Sequence, residues 1–358
     1  MDDKTFDAQV TEYIRLFPYQ ETYKYTSALL GRDPARFNTW AEGDAELKRA
    51  GDDTIVRTNN DTFYKIVFVV LERGPVVIHA TASDPDRFAS FQLMDDRNAN
   101  YRNIIRPHGS YTLYHGSPPS EFVGELIEVP SDLSVVLVRV EVKDSDDPVD
   151  MAAATTVFDG IGIEGPQITE WPELDLLGAF NQTVSDEAIR RIDEAFASTP
   201  FTDMIVGPGQ TPGTDVPHLS HAAGTRHGWG GPSPRHSSYD AILTGETGEP
   251  FMGSDGVYVL VTDEPPVHSF WSITVYDTDR GGFLHPNARD RYHYNGTTAA
   301  RNDDGSYTFR FATRCEPGRG NCLEVPEGRF DMVARYYEPG DAILDGRWTM
   351  PRPRLESS

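Results

Sequence analysis

The spacing of hydrophobic positions changes character along the chain, and each texture predicts a different element. Phe6, Val10, Tyr13, Ile14 and Phe17 fall at i, i+4, i+7, i+8 and i+11, the stripe of an amphipathic helix that Pro18 ends or kinks. A polar stretch with Gly31 and Pro34 follows, and ARFNTWAEGDAELKRAG predicts a second short helix. From Ile55 the residues become β-branched and aromatic, punctuated by RGP and SDPD, which reads as strands joined by tight turns. Further strands are expected at SYTLYHG, FVGELIEV and LSVVLVRVEV. A strand and turn roughly every ten residues suggests an antiparallel sandwich or barrel.

Residues 144–182 are mixed and Pro-containing, and then TVSDEAIRRIDEAF predicts a helix. Thr183 or Ser185 can cap it, Asp186 and Glu187 suit its positive end, and Ile189, Ile192 and Phe196 form its buried edge. Next comes HLSHAAGTRHGWGGPSPRH, read as one loop rich in Gly, Pro and His. A second strand series runs through VYVLVT, HSFWSITVYD, GSYTFRF and RFDMVARYY, and MPRPRLESS reads as a ragged tail. No repeat recurs at a fixed period.

Composition turns this pattern into a fold class. At 358 residues the chain exceeds one comfortable core, and 38% hydrophobic with 11% aromatic residues is enough for two. The reading is mainly β: two β-sandwich domains with a few helices at the N-terminus and the domain junction. The expected divisions are a helical segment over 1–50, an N-terminal sandwich over 51–182, a junction helix and loop over 183–237, and a C-terminal sandwich over 238–350.

Charge removes several partners. Acidic residues outnumber basic ones 56 to 32, and a formal charge of -24 repels phosphate backbones and anionic head groups, so neither nucleic acid nor membrane is expected as a partner. The N-terminus lacks the basic and apolar regions of a signal peptide, and no run is apolar enough to span a bilayer, so a cytoplasmic location is expected. The two cysteines, Cys315 and Cys322, flank a short Pro/Gly loop that suits a disulfide, whereas that compartment suits free thiols.

Candidate chemistry gathers in three places. His218, His221 and His227 are imidazoles within reach of one folded loop and could hold a divalent transition metal, although their spacing matches no named metal motif and a plain polar loop is the alternative. In TNNDTFYK, Asn60, Asp61 and Tyr64 could offer an acid/base group and a phenol at a strand mouth, or simply make Asx turns. In HSFWSITVYD, alternation puts Trp271, Ile273 and Val275 on a core face and His268, Ser272, Thr274 and Tyr276 on a face that is either solvated or lines a pocket. Arg291 and Tyr292, with Arg335, could clamp an anion. No P-loop, dinucleotide fingerprint or GxSxG elbow occurs.

The run TNNDTFYKIVFVVLERGPVVIHATASDPDRFASFQLMDD resembles domain-of-unknown-function family 1254. RHGWGGPSPRHSSYDAI, PPVHSFWSITVYDTDRGGFLHPNARDRYHYN, NCLEVPEGRFDMVARYYEP and ILDGRW resemble family 1214. The resemblance implies jelly-roll-like sandwiches, helices at their junction and a homo-oligomer. It carries over Asn60, Asp61, Thr62, Tyr64, Gln92, Asp95, Trp229, Phe270, Trp271, Ser272, Tyr276, Arg291 and Tyr292, while Lys65 and His79 depart from its pattern. The expectation is an enzyme for a small polar or oxygenated molecule, of hydrolysis or elimination type, working in a crevice between the β-domains. Asp61, Tyr64 and Arg291 would be catalytic, and Asn60, Gln92, Asp95, Trp229, Ser272, Tyr276 and Tyr292 would bind substrate. The alternative is a carbohydrate- or small-molecule-binding module, with Trp229 and Tyr239 stacking on the ligand.

Overall fold

The structure, a computed structural model, describes residues 3–41, 43–52, 57–316, 318 and 320–356. It is mainly β, with seventeen strands in four sheets and five α-helices among the described residues. The chain forms two compact units, each gathered from separate stretches: 1–45, 64–140 and 155–234 in the first, and 46–63, 141–154 and 235–358 in the second. Unit boundaries therefore do not coincide with the divisions expected at 51, 182 and 238. Ile55, where the strand texture was expected to begin, lies outside the described residues.

In the first unit one sheet has the order β1-β7-β3-β4, from β1 (Thr62–Val70), β3 (Ala89–Asp95), β4 (Asn100–Ile105) and β7 (Leu133–Glu141). The second has the order β6-β5-β2-β8, from β2 (Val76–Ala80), β5 (Gly109–Tyr114), β6 (Glu125–Glu128) and β8 (Ile161–Glu164). Every second residue of β2, namely Val76, Ile78 and Ala80, is buried, as period-2 alternation requires. Phe91 of β3 meets Tyr111 of β5 edge-on, 5.7 Å between ring centres.

Three helices make a separate core in this unit: α1 (Asp3–Leu30), α3 (Gln182–Ser198) and α4 (His218–Gly228). The stripe expected on α1 is correct, since Val10, Tyr13, Ile14 and Phe17 are buried there. Pro18 does not end the helix, which continues to Leu30. Proline costs a helix interior about 3 kcal/mol, and burial of several aromatic and aliphatic side chains at 1.5–3 kcal/mol each, roughly, outweighs that. The cap of α3 is Asn181, whose side chain accepts from the Val184 amide, and not Thr183 or Ser185. The stretch from His218 begins as a helix, not a loop. Its small residues hid that: Ala222 and Ala223 pack in the helical core, and a Cβ on Gly224 would lie 2.8 Å from Met204 Cβ.

The helix expected over ARFNTWAEGDAELKRAG is absent among the described residues, apart from a 3-10 turn at Pro34–Arg36. Tertiary hydrogen bonds pull the segment straight along β1, with Asn38 N donating to Phe68 O (3.0 Å) and Ala41 N to Ile66 O (2.8 Å). The Asn38 amide adds bonds to Val70 O and Pro166 O. Helix α2 (Pro148–Asp159) arises in the stretch expected to be irregular.

The second unit is a sandwich. One sheet has the order β10-β16-β12-β13 with β9 also on β16, from β9 (Ser237–Ile242), β10 (Phe251–Met252), β12 (Trp271–Asp277), β13 (His293–Asn295) and β16 (Arg329–Tyr337). The other has the order β15-β14-β11-β17, from β11 (Tyr258–Thr262), β14 (Tyr307–Ala312), β15 (Asn321–Glu324) and β17 (Arg354–Leu355). Trp271, Ile273 and Val275 do form core, as alternation requires, with Tyr258, Leu260, Tyr307 and Phe309 from the facing sheet. A four-residue helix, α5 (Asp341–Leu344), follows β16. The expected ragged tail instead adds β17 to β11, pairing Leu355 with Tyr258. No helix of the described residues is long and apolar enough to cross a membrane.

Cys315 and Cys322, seven residues apart, are bridged. A loop this short confines the unfolded chain modestly, so Cys322→Ser is expected to cost about 2–3 kcal/mol. Urea unfolding with and without reductant checks this, and reduction should leave the variant's midpoint unchanged.

Candidate functional site

The polar face of β12 is buried, and it belongs to a network wholly within the second unit. Register places Ser272 opposite both Asn295 and Arg335, Thr274 opposite His293, and Tyr276 opposite Asp331. Residues directly opposite share a face, so the side of the sheet away from the apolar core carries hydroxyls, an imidazole, a guanidinium and a carboxylate. The segment Arg57–Asp61 completes it.

Asp61 is fully buried. Ser272 Oγ donates to one of its carboxylate oxygens and Tyr337 Oη, at 2.9 Å, to the other. Its backbone amide donates to Asn59 Oδ1 at 2.7 Å, an Asx turn of the kind the sequence allowed, and Asn59 Nδ2 donates to Tyr337 Oη. Arg335 is the opposite charge. Its guanidinium donates to Thr274 Oγ1 (3.0 Å), Arg57 O (2.8 Å) and Tyr276 Oη (2.7 Å). Burial opposes that charge, but Tyr276, Asp61 and Tyr337 around it hold the guanidinium above its usual pKa. Tyr276 in turn donates to Thr58 O at 2.7 Å, and burial raises its phenol.

His293 supplies the imidazole of this face. Burial first, then the nearby Arg291 and Arg335, against an opposing pull from Asp61, brings its imidazole down to about 4, so it is neutral at pH 7. Nδ1 lies 2.8 Å from Asn60 Oδ1. An amide oxygen can only accept, so Nδ1 carries the proton and Nε2 presents a lone pair. That Nε2 has no hydrogen-bond partner among the described residues. Asn60 is fixed by its own bond to Lys48 O, and Asn295 Nδ2 donates to Lys143 O at 2.9 Å. The arrangement can move protons: it holds a carboxylate between two hydroxyl donors and a neutral imidazole with an open acceptor.

Of the residues singled out in the sequence, the structure brings together Asn60, Asp61, Ser272 and Tyr276. Tyr292 packs beside Tyr276 in a small cluster and donates to Asp290 Oδ1 at 2.6 Å. Arg291 pairs with Asp146 and lies over the Tyr294 ring at 5.1 Å. The others belong to the first unit. Tyr64 lies under the Arg139 guanidinium at 5.3 Å, and Arg139 donates to Gln92 Oε1 at 2.6 Å. Asp95 closes a turn by accepting from the Arg97 and Ala99 amides, each at 2.9 Å. Trp229 stacks on Tyr25, ring centres 4.6 Å apart.

The three histidines do not converge. His221 is buried with Nε2 2.7 Å from Arg97 O, and burial lowers its pKa. His227 Nε2 bonds Asp193 at 2.8 Å while its ring stacks on Phe196. His218 packs against Gly213. Among the described residues no group of three His, Cys, Asp or Glu side chains is placed to hold a metal ion.

Two members were not singled out as site residues, namely His293 and Tyr337, whereas Arg335 was read as part of an anion clamp. Their signal is the alternation Asp331, Val333, Arg335, Tyr337 in RFDMVARYY, and His293 with Asn295 in RYHYN. Alternation assigns such residues to a face but not to burial, and the covering segment comes from more than 200 residues earlier, as the Tyr276–Thr58 bond spans 218.

Arg335→Met leaves Asp61 buried without its counter-charge and should cost about 3–5 kcal/mol by urea unfolding, with part recovered in the Asp61→Asn, Arg335→Met double variant. For His293, the unfolded imidazole takes up a proton before the folded one as pH falls. Stability is therefore lost between about pH 6.5 and pH 4, by up to about 3 kcal/mol. Asp96, raised to about 6 by burial and by Asp95, acts in the opposite sense over the same range. The wild-type curve minus that of His293→Asn isolates the imidazole, and the variant should lack this acid-side loss.

Models of two families match this chain. Residues 38–165 match the family described as protein of unknown function DUF1254, and residues 237–341 match protein of unknown function DUF1214. No curated protein matches the chain. Among solved structures it is similar to the VPA0106 protein from Vibrio parahaemolyticus, with 20% identity and a TM-score of 0.80 over 98% of this chain and 100% of that one. It is also similar to an uncharacterized protein from Burkholderia cenocepacia, with 15% identity and a TM-score of 0.51 over 99% of this chain and 90% of that one. At such identities the likeness shows the fold alone. The chain belongs to the two-domain proteins that join an N-terminal DUF1254 domain to a C-terminal DUF1214 domain.

Proposed function

We propose that the protein is an enzyme that carries out acid–base chemistry, of hydrolysis or elimination type, on a small polar or oxygenated molecule at the polar face of the C-terminal sheet. One observation carries this reading: a buried carboxylate and a buried guanidinium share one sheet face with a neutral imidazole whose Nε2 accepts no hydrogen bond from any described residue. Buried charges cost several kcal/mol each, and apolar residues of the same volume would make a more stable sheet. Strongly perturbed groups gathered in one place are the usual mark of a reaction site.

In this reading His293 Nε2 takes the substrate proton and Asp61 is the acid/base partner held by Ser272 and Tyr337. Arg335 stabilises negative charge that develops nearby, and Tyr276 fixes the guanidinium. Arg57, Asn59 and Tyr239, the partly exposed members of the cluster, are where a small molecule would enter. The ligand is a small molecule and not nucleic acid, in keeping with the -24 charge, and a homo-oligomer is part of the same proposal. The Cys315–Cys322 bridge supports an oxidising compartment.

A second reading has its own support. Every carboxylate and guanidinium bond named above is made within the protein, as a fixed anchor for residues 57–61 requires, and the protein would then bind a ligand without changing it. A mass-spectrometric screen of lactones, esters, hydroxy acids and polyols separates the two. The enzyme reading expects one class to be consumed, with Asp61→Asn lowering kcat by about 100- to 10,000-fold in a variant whose circular dichroism is unchanged. Equal turnover in the variant, or ligand recovered intact, would overturn it.

A further inference from the structure

We propose a second reactive centre, in the first unit, in which Ser110 is an acyl-accepting nucleophile, His79 its base and Glu164 a positioning carboxylate. The three lie on adjacent strands of one sheet. Register sets His79 of β2 opposite Ser110 of β5 on one side and Gly162 of β8 on the other, with Glu164 opposite Val77. Val76, Ile78 and Ala80 face the core, so His79, Ser110 and Glu164 share the opposite face.

The distances suit the chemistry. Ser110 Oγ is 3.0 Å from His79 Nδ1, within reach for proton transfer. His79 Nε2 is buried, has no hydrogen-bond partner among the described residues, and has Glu164 Oε1 at 3.7 Å. A hydroxyl on one ring nitrogen and a carboxylate facing the other is the order of roles that nucleophilic hydrolysis requires, and it is recognised by geometry and not by sequence position.

A strap lies beside the nucleophile. Val123 and Thr112 exchange bonds through the threonine hydroxyl (2.7 and 3.2 Å), which holds residues 122–124 against β5. Gly124 has φ +69°, and a Cβ there would meet Ser110 O at 1.8 Å, so only glycine allows the strap this close. The preceding Phe122 and Val123 are about half exposed, 52% and 50%. On the far side of the imidazole, nothing lies within 4 Å of where a Gly162 Cβ would be. An apolar wall and an open floor fit a carboxylic ester with a short apolar acyl group.

The step balances without a further reagent. Ser110 Oγ adds to the ester carbonyl while its proton passes to His79 Nδ1. The bond to the alcohol then breaks, and the alcohol leaves with that proton. Water repeats the sequence on the acyl-serine, giving an acid and regenerating Ser110. Glu164 steadies the imidazolium formed in each half.

The test uses the full chain with diisopropyl fluorophosphate as probe and peptide mass spectrometry as readout, alongside hydrolysis of p-nitrophenyl butyrate. A single diisopropylphosphoryl adduct on Ser110 is expected, formed about 100-fold or more slowly in His79→Asn. Glu164→Gln should lower kcat for p-nitrophenyl butyrate with KM unchanged, a split that a purely structural role would not produce. Absence of an adduct on Ser110, or equal labelling in a folded His79→Asn variant, would overturn the proposal.

Discussion

Asp61 and Arg335 stand on the same buried face with opposite charges and no direct hydrogen bond between them, and the second unit is built to tolerate that. A carboxylate out of water needs donors, which Ser272 and Tyr337 supply from adjacent strands. A guanidinium out of water needs acceptors, and it takes them from Thr274, Tyr276 and the backbone of Arg57. Because those acceptors include main-chain carbonyls of residues 57–58, the charge pair also dictates where the segment preceding β1 runs. Local sequence, sheet face and chain path are linked through one electrostatic requirement.

The other face of the same sheet follows ordinary rules. Trp271, Ile273 and Val275 alternate with the polar set and pack against Tyr307 and Phe309 of the facing sheet, Trp271 and Tyr307 meeting edge-on at 5.1 Å. This is the stabilising half of the strand, at about 25 cal/mol per Å² of apolar surface buried. The polar half contributes specificity of position, and a proton-transfer site needs positions held closely.

The strand pattern and the faces of β12 were legible because period-2 alternation is a local property of the chain. So was α1 up to Phe17. What local pattern could not reveal was whichever contact came from far away in sequence. Asn38 is drawn out of a helical-looking segment by carbonyls of Val70 and Pro166, and α4 is hidden by small residues whose value lies in close approach to Met204. The candidate site divides in the same way. Asp61, Ser272 and Tyr276 stood out within their own motifs. His293 and Tyr337 matter only because β12, β13 and β16 pair in a particular register, which no single segment encodes. Proximity of histidines in sequence misled for the complementary reason: on a helix, His218, His221 and His227 point to different surroundings.

The polar face holds a neutral imidazole with an open acceptor beside Asp61. Nitrogen-15 NMR of histidine-labelled protein, with His293 assigned by loss of its signals in His293→Asn, reads the tautomer and charge directly. A neutral ring protonated on Nδ1 is expected at pH 7, remaining so until the pH approaches about 4. A doubly protonated ring at pH 7, or a proton on Nε2, would contradict it.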